Sequence, residues 1–215
     1  MVRACLVDVY DTILVSQFVP RVTELIEPLG IALGDWLPEW ETMRADRDRG
    51  RLTVAASFAQ TLRALGVEPK PELVEDLSRR DAELFRSHTL LCDDTIPFLT
   101  WLRSRDIRIA LVSNCADTTR AQLDYLGITP LVDALVLSCE IGSMKPFPEM
   151  YVTALDDLGV AAVDAVFIDD QPTFCAGAQA VGVRPIQIAR GAQTGYVSQW
   201  GFPVVHTLAD ARPLL

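Results

Sequence analysis

The sequence predicts an α/β protein: a doubly wound parallel sheet with an α-helical cap inserted after its first strand. Two observations predict the sheet. Short apolar runs of strand length, "RACLVD", "IRIALVSN", "DALVLSCE", "DAVFIDD" and "RPIQIA", are rich in Val, Ile and Leu with little alternation, as in parallel strands covered on both faces. From about residue 107 onward, amphipathic segments of helix length such as "DTTRAQLDYLG" and "PEMYVTALDDLG" separate those runs. The third observation, a long helical stretch without strands, predicts the cap. Sheets of this kind bind ligands beyond the carboxyl ends of their strands.

The elements follow in order. The first strand ends at Asp8. Residues 16–88 then break the alternation, because "VTELIEPLG", "WLPEWETMRADRD", "VAASFAQTLRALG" and "PELVEDLSRRDAELFRS" all have helical period. The expected division is a core of residues 1–15 and 89–215 and a cap of residues 16–88, placed over the carboxyl edge of the sheet. Glycine followed by a β-branched residue ends one helix after another, at Gly30, Gly66, Gly127, Gly159 and Gly182. The arginine-rich "MRADRDRGR", interrupted by aspartates, reads as a solvated helix end. Trp36, Trp40 and Phe58 have the spacing of cap core residues.

Composition narrows the function classes. Half of the 215 residues are hydrophobic, and 29 acidic against 19 basic residues give a net charge of -10, which repels nucleic-acid backbones. The cysteines, Cys5, Cys92, Cys115, Cys139 and Cys175, are odd in number and form no CxxC, so neither a disulfide framework nor a zinc knuckle is expected. A reducing compartment suits them. Asp8 interrupts the N-terminal apolar run too soon for a signal peptide, and no apolar run has membrane-spanning length. The expectation is a soluble, cytoplasmic protein without nucleic-acid or membrane partners. His88 and His206 have no metal-ligand spacing, and the chain contains neither GxSxG nor a Walker A motif.

Chemistry concentrates at strand ends. Asp8 follows "CLV", Ser113 and Asn114 follow "IALV", and Asp169 and Asp170 follow "AVFI", so a parallel sheet collects them on one edge. Lys145, between a Ser-Met pair and two prolines, can reach the same edge. One acidic residue after a strand is most often a turn former or helix cap. Four stations in order suit phosphoryl transfer instead, with Asp8 as nucleophile, Ser113 and Lys145 on phosphoryl oxygens, and Asp169 and Asp170 supporting a hard cation. Three carboxylates facing one lysine leave a charge conflict that magnesium would relieve.

On these motifs, from residue 4 to about 190, the chain resembles the haloacid dehalogenase (HAD) superfamily, in the subfamily (IA) with a helical cap between the first and second motifs. The resemblance implies a HAD-like Rossmannoid core and a hydrolase acting on a small phosphomonoester with Mg2+. It makes Asp8 the nucleophile, and Thr12 the residue that steadies its loop. Ser113, Asn114 and Lys145 become catalytic and substrate-binding groups. Asp8, Asp169, Asp170 and the backbone carbonyl of Tyr10 would hold the metal.

Two departures accompany the match. Tyr10 stands where the family's phosphatases carry a second aspartate as acid and base, and a phenol with a pKa near roughly 10 is a poor shuttle at neutral pH. Turnover should be slow. Asp11 is a candidate substitute, although the position commonly forms a loop hydrogen bond and points away. Phe174 occupies a place where many relatives have a polar or acidic residue. Tyr10 and Tyr151 also fall where 2-haloacid dehalogenases have tyrosines, with Arg44, Arg47 and Arg49 near the place of their cap arginine. A metal-free dehalogenase and a catalytically weak binding protein are therefore alternatives. Cys115 and Cys175 are expected near the site as packing residues. Substrate identity and oligomeric state are open at this level.

Overall fold

The computed structural model describes residues 1–191 and 197–215. The chain runs from β1 (Ala4–Val7) through β2 (Leu14–Ser16) into helices α1 (Phe18–Ile26), α2 (Leu33–Thr42), α3 (Arg44–Asp48), α4 (Val54–Ala64) and α5 (Pro71–His88). It returns by β3 (Thr89–Leu91) and α6 (Thr95–Ser104) to β4 (Arg108–Ser113), α7 (Thr119–Tyr125), β5 (Ala134–Leu137) and α8 (Ser138–Ile141). The described chain continues with α9 (Pro148–Leu158), β6 (Ala165–Asp169), α10 (Pro172–Ala180), β7 (Arg184–Ile188), β8 (Val204–Val205) and α11 (Leu208–Ala211).

Six strands form a sheet in the order β5-β4-β1-β6-β7-β8, every pair parallel. Successive β1 side chains go to opposite sides: Cys5 and Val7 pack with Phe98, Leu102 and Leu123, whereas Ala4 and Leu6 pack with Met150, Ala154 and Ala178. Both faces are covered, which is why the strand sequences do not alternate with polar residues. β1 lies between β4 and β6, with Val7 opposite both Leu111 and Ile168. That register brings the polar residues after each strand to one edge.

Helices α1, α2, α4 and α5 enclose their own apolar cluster, including Trp36, Phe58, Leu62 and Leu77. Two features seat this helical layer on the sheet edge. The Asp117 carboxylate, just past β4, accepts from the N–H of Val54 at the start of α4, at 2.9 Å. Gly50, with φ +67°, lies so close to the Cys139 carbonyl that a Cβ would come within 1.9 Å of its oxygen.

Several expectations are met and others corrected. Gly30, Gly66, Gly127, Gly159 and Gly182 all have positive φ. The antiparallel pairing of β2 with β3, which clasps the entry and exit of the helical segment, was not foreseen because three-residue strands carry too little pattern. Nor was β8. "DALVLSCE" is a strand only to Leu137, and its last residues form α8. The helix expected through "WLPEWETMRADRD" is interrupted at Met43. "MRADRDRGR" is solvated only in part: Arg44, Asp46 and Arg51 are exposed, but Arg47 is buried, its guanidinium 3.9 Å above the Trp40 ring and donating to the Trp40 carbonyl at 2.7 Å. Among the described residues no helix is long and apolar enough to cross a membrane.

Candidate active site

The strand ends form the floor of a cavity of about 730 Å³ between sheet edge and helical layer. Asp8, Tyr10, Asn114, Lys145 and Asp170 line it. Thr12, Ser113 and Asp169 lie fully buried behind that floor. The sheet therefore gathers all the sequence-predicted site residues, but in two layers.

Lys145 is the hub. Its ammonium donates to Asp8 Oδ1 at 2.5 Å and to Asp169 Oδ2 at 2.6 Å, while the rings of Phe167 and Phe174 lie 5.4 and 5.0 Å from it. A lysine 1% exposed needs such pairing to remain charged. Burial pulls its pKa down, but the two carboxylates outweigh that effect and hold it above the ordinary value. Asn114 fixes the lysine backbone from both sides, accepting from the Lys145 N–H at 2.6 Å and donating to the Lys145 carbonyl at 3.0 Å.

Asp8, Asp169 and Asp170 each bring an oxygen within 4.8 Å of the others. Burial, reinforced by Asp8, pushes the Asp169 carboxyl up, while Lys145 and the Gln171 N–H oppose the shift. Burial and Asp8 likewise push Asp170 up to about 6. Three carboxylates against one ammonium leave excess negative charge in an oxygen-only donor set, which fits a hard divalent cation. Gln171, which the sequence reading missed, braces the set. Its N–H donates to Asp169 Oδ1 at 2.7 Å and its amide to Asp170 Oδ2 at 2.6 Å. Its place directly after the paired aspartates and before the Pro172 that opens α10 was the available signal.

The Tyr10 hydroxyl donates to Gln122 Oε1 at 2.9 Å and lies 3.1 Å from Thr119 Oγ1, so α7 holds it. Burial pushes the phenol well above its ordinary pKa. Neither α7 residue was singled out in the sequence, because a helix-to-loop contact across more than a hundred residues leaves no local signal. Asp11, expected to point away, instead lines the cavity, with φ +60° and a carboxyl raised by burial and by Asp8. Phe174 lines the cavity too. Tyr151 packs edge-on against Phe167 and donates to the Phe174 carbonyl at 2.7 Å, an anchor between α9 and α10. The Ser113 and Thr12 hydroxyls have no hydrogen-bond partner among the described residues.

The helical layer contributes the roof: Arg21, Arg44 and Arg47 beside Glu41, Asp48 and Asp81, with Phe18 and Trp40 between them. Trp40 thus belongs both to the roof and to the cap cluster. Arg49, Trp36, Phe58 and Cys175 do not line the cavity, whereas Cys115 does.

Comparisons with known proteins bear on the family and the fold. A phosphatase of Mycobacterium tuberculosis is 30% identical over 200 residues, covering 86% of this chain and 83% of its own. The glyceraldehyde 3-phosphate phosphatase of Methanopyrus kandleri is 31% identical over 136 residues, and the match spans 62% of this chain but only 58% of that protein. Among solved structures, a HAD phosphatase from Thermococcus onnurineus superposes with a TM-score of 0.71 at 23% identity, over 99% of this chain and 97% of its own. The L-2-haloacid dehalogenase of Xanthobacter autotrophicus gives 0.72 at 22% identity, over 100% and 98%. At such identities these two show the fold alone. The family model for haloacid dehalogenase-like hydrolases matches residues 2–182, from the first strand past the paired aspartates, and by that match the chain belongs to the haloacid dehalogenase-like hydrolase family.

Proposed function

We propose that the protein is a magnesium-dependent phosphatase of small phosphomonoesters, acting through an aspartyl-phosphate at Asp8. The observation that carries this reading is the Asp8–Lys145–Asp169 array at the cavity floor, with Asp170 completing the carboxylate cluster. The sequence relatives whose names specify phosphatases support it.

An Asp8 oxygen attacks phosphorus as the bond to the leaving alkoxide breaks. Lys145 and the Ser113 and Asn114 station hold phosphoryl oxygens through the transfer, and Thr12 steadies the nucleophile loop. Water then attacks the phosphorus of the aspartyl-phosphate, releasing phosphate and restoring Asp8. Asp8, Asp169, Asp170 and the Tyr10 backbone carbonyl would hold magnesium, which would neutralise phosphoryl charge when bound. Residues 16–88 serve as a cap that excludes bulk water from the cavity. The leaving alkoxide still needs a proton. Tyr10 donates its own to Gln122 and holds it too firmly, so turnover lacks an acid worth about 10²- to 10⁴-fold.

Tyr10 at the cavity wall favours a second reading, in which Asp8 displaces halide from a 2-haloacid and water cleaves the ester. One experiment separates the two. The purified chain is given an aryl phosphate with and without magnesium, and 2-chloropropionate in parallel. Metal-dependent phosphate release, abolished in Asp8→Asn, is the expected result. Halide release without phosphate release replaces the first reading with the second, and silence on both substrates with retained magnesium binding leaves a binding protein.

A further inference from the structure

We propose that Cys115 and Cys139 form a peroxide-sensitive dithiol whose oxidation to a disulfide locks the active-site loop. β4 and β5 are parallel neighbours, with Ser113 opposite Leu137, and each cysteine lies two residues beyond its strand's member of that pair. Ser138 keeps the emerging chains together: its hydroxyl accepts from the Cys115 N–H at 2.8 Å and donates to the Cys115 carbonyl at 3.3 Å. Cys139 stands in the first turn of α8 and Cys115 just past β4, so the Ser138 contact, not the strand ladder, holds them as neighbours, and a disulfide between them needs a Cα separation of about 4.4–6.8 Å.

The surroundings distinguish the two sulfurs. The Cys115 and Cys139 thiols lie near enough to bear on each other's protons, and the Thr119 hydroxyl and the main chain of residues 138 and 139 also face the Cys115 thiol. These neighbours hold the Cys115 thiol below its ordinary pKa against burial, while Cys115 and burial raise that of Cys139. Cys115 lines the cavity, so a small oxidant reaches it by the substrate's route. By contrast, Cys5 and Cys175 are buried and raised by burial, and Cys92 is raised as well. The reactive partner is therefore Cys115, with Cys139 as resolving thiol.

The chemistry balances with hydrogen peroxide as oxidant. The Cys115 thiolate attacks one peroxide oxygen, the O–O bond breaks, and the departing hydroxide takes a proton to leave as water. The Cys139 sulfur then attacks the sulfenic sulfur, an S–S bond forms, and a second water leaves with the Cys139 proton. Two thiols and one peroxide become one disulfide and two waters.

Oxidation would be felt at the nucleophile. Thr119 faces the Cys115 thiol and contacts the Tyr10 hydroxyl, so a change at Cys115 reaches the Tyr10 loop through one residue. Cys139 also carries the carbonyl packed on Gly50, so the crosslink ties the cap's seat to the segment bearing Ser113 and Asn114. The pairing itself does not depend on the phosphatase reading; only the effect on turnover does.

The test treats the full chain with hydrogen peroxide, quenches it, alkylates free thiols and maps the peptides by mass spectrometry. The expected product is a Cys115–Cys139 linked peptide, lighter by about 2 Da than the sum of its parts and abolished by dithiothreitol. Cys5, Cys92 and Cys175 remain alkylatable. Aryl-phosphate turnover should fall at least about tenfold and recover on reduction, as expected for a small misplacement of reacting groups. Cys139→Ser should keep unoxidised turnover and convert reversible loss into irreversible loss, with Cys115 found as sulfinic acid. Full alkylation of Cys115 and Cys139 after peroxide, or a crosslink between other cysteines, overturns the proposal. A Cys115–Cys139 crosslink with unchanged turnover overturns the loop-locking consequence, and a chain inactive even when reduced counts against the phosphatase reading, because the peptide map is independent of it.

Discussion

Under the phosphatase reading proposed above, Tyr10 would limit turnover, and the reason lies in its hydroxyl. That group is held by Gln122 and Thr119, away from any role as a free acid. Tyr10→Asp should raise aryl-phosphate turnover several-fold or more in a steady-state assay, while Tyr10→Phe should leave it within a small factor; a Tyr10→Asp variant that folds without gaining turnover removes the missing-acid explanation. Lys145→Ala leaves Asp8 and Asp169 facing each other without their ammonium. Breaking a buried pair costs about 3–5 kcal/mol, which a denaturant titration would record as a lowered midpoint. Asp170 carries a pH signature in the metal-free protein. Its folded pKa of about 6 lies above the ordinary 3.8, so the native state binds the proton more tightly than the unfolded chain. Its contribution to stability is present in full below about pH 4 and lost as pH rises through 6. Comparing melting temperatures of wild type and Asp170→Asn between pH 4 and 7 should show a steeper fall in the wild type, the remainder belonging to other raised carboxyls such as Asp169.

Elements matter here through where they end and how closely they approach. α10 begins immediately after Gln171 and comes so near α9 that a Cβ on Gly177 would lie 2.6 Å from the Pro146 carbonyl oxygen and 2.7 Å from the Tyr151 hydroxyl. Gly177→Ala must push α10 away from the segment that positions Lys145. Overpacking of this kind costs about 1–3 kcal/mol, and a thermal melt should show it together with a loss of turnover. α3 shows what periodicity misses. Its alternating Arg and Asp residues have the composition of a solvated helix, yet the Trp40 ring and the cavity make Arg47 a buried roof residue. Sequence pattern reports the charge of a side chain but not the aromatic surface that folding lays beneath it.

At the scale of the whole molecule, the proposed cation would be coupled by linkage to the sheet edge and the helical layer over it. A cation that binds only the assembled carboxylate cluster stabilises the fold, by about 2.7 kcal/mol at a hundred times its dissociation constant. Magnesium should therefore raise the melting temperature of the wild type and not that of Asp170→Asn, with the increment shrinking below about pH 6 as protons compete for the same oxygens. The sequence by itself determined the parallel sheet, the long helical excursion after β1, and the collection of Asp8, Ser113, Lys145 and Asp170 on one edge. Those features were legible because they are local: apolar runs, helix period, glycine closures, and the polar residue that follows a buried strand. Folding in three dimensions was needed to show that Asp11 lines the cavity, that Tyr10 is tied to α7, that Gln171 braces the aspartates, that Arg47 is buried, and that Cys115 is bonded to the Ser138 that precedes Cys139. Each depends on groups far apart in the chain and on which strand lies beside which, and short-range periodicity carries no record of that.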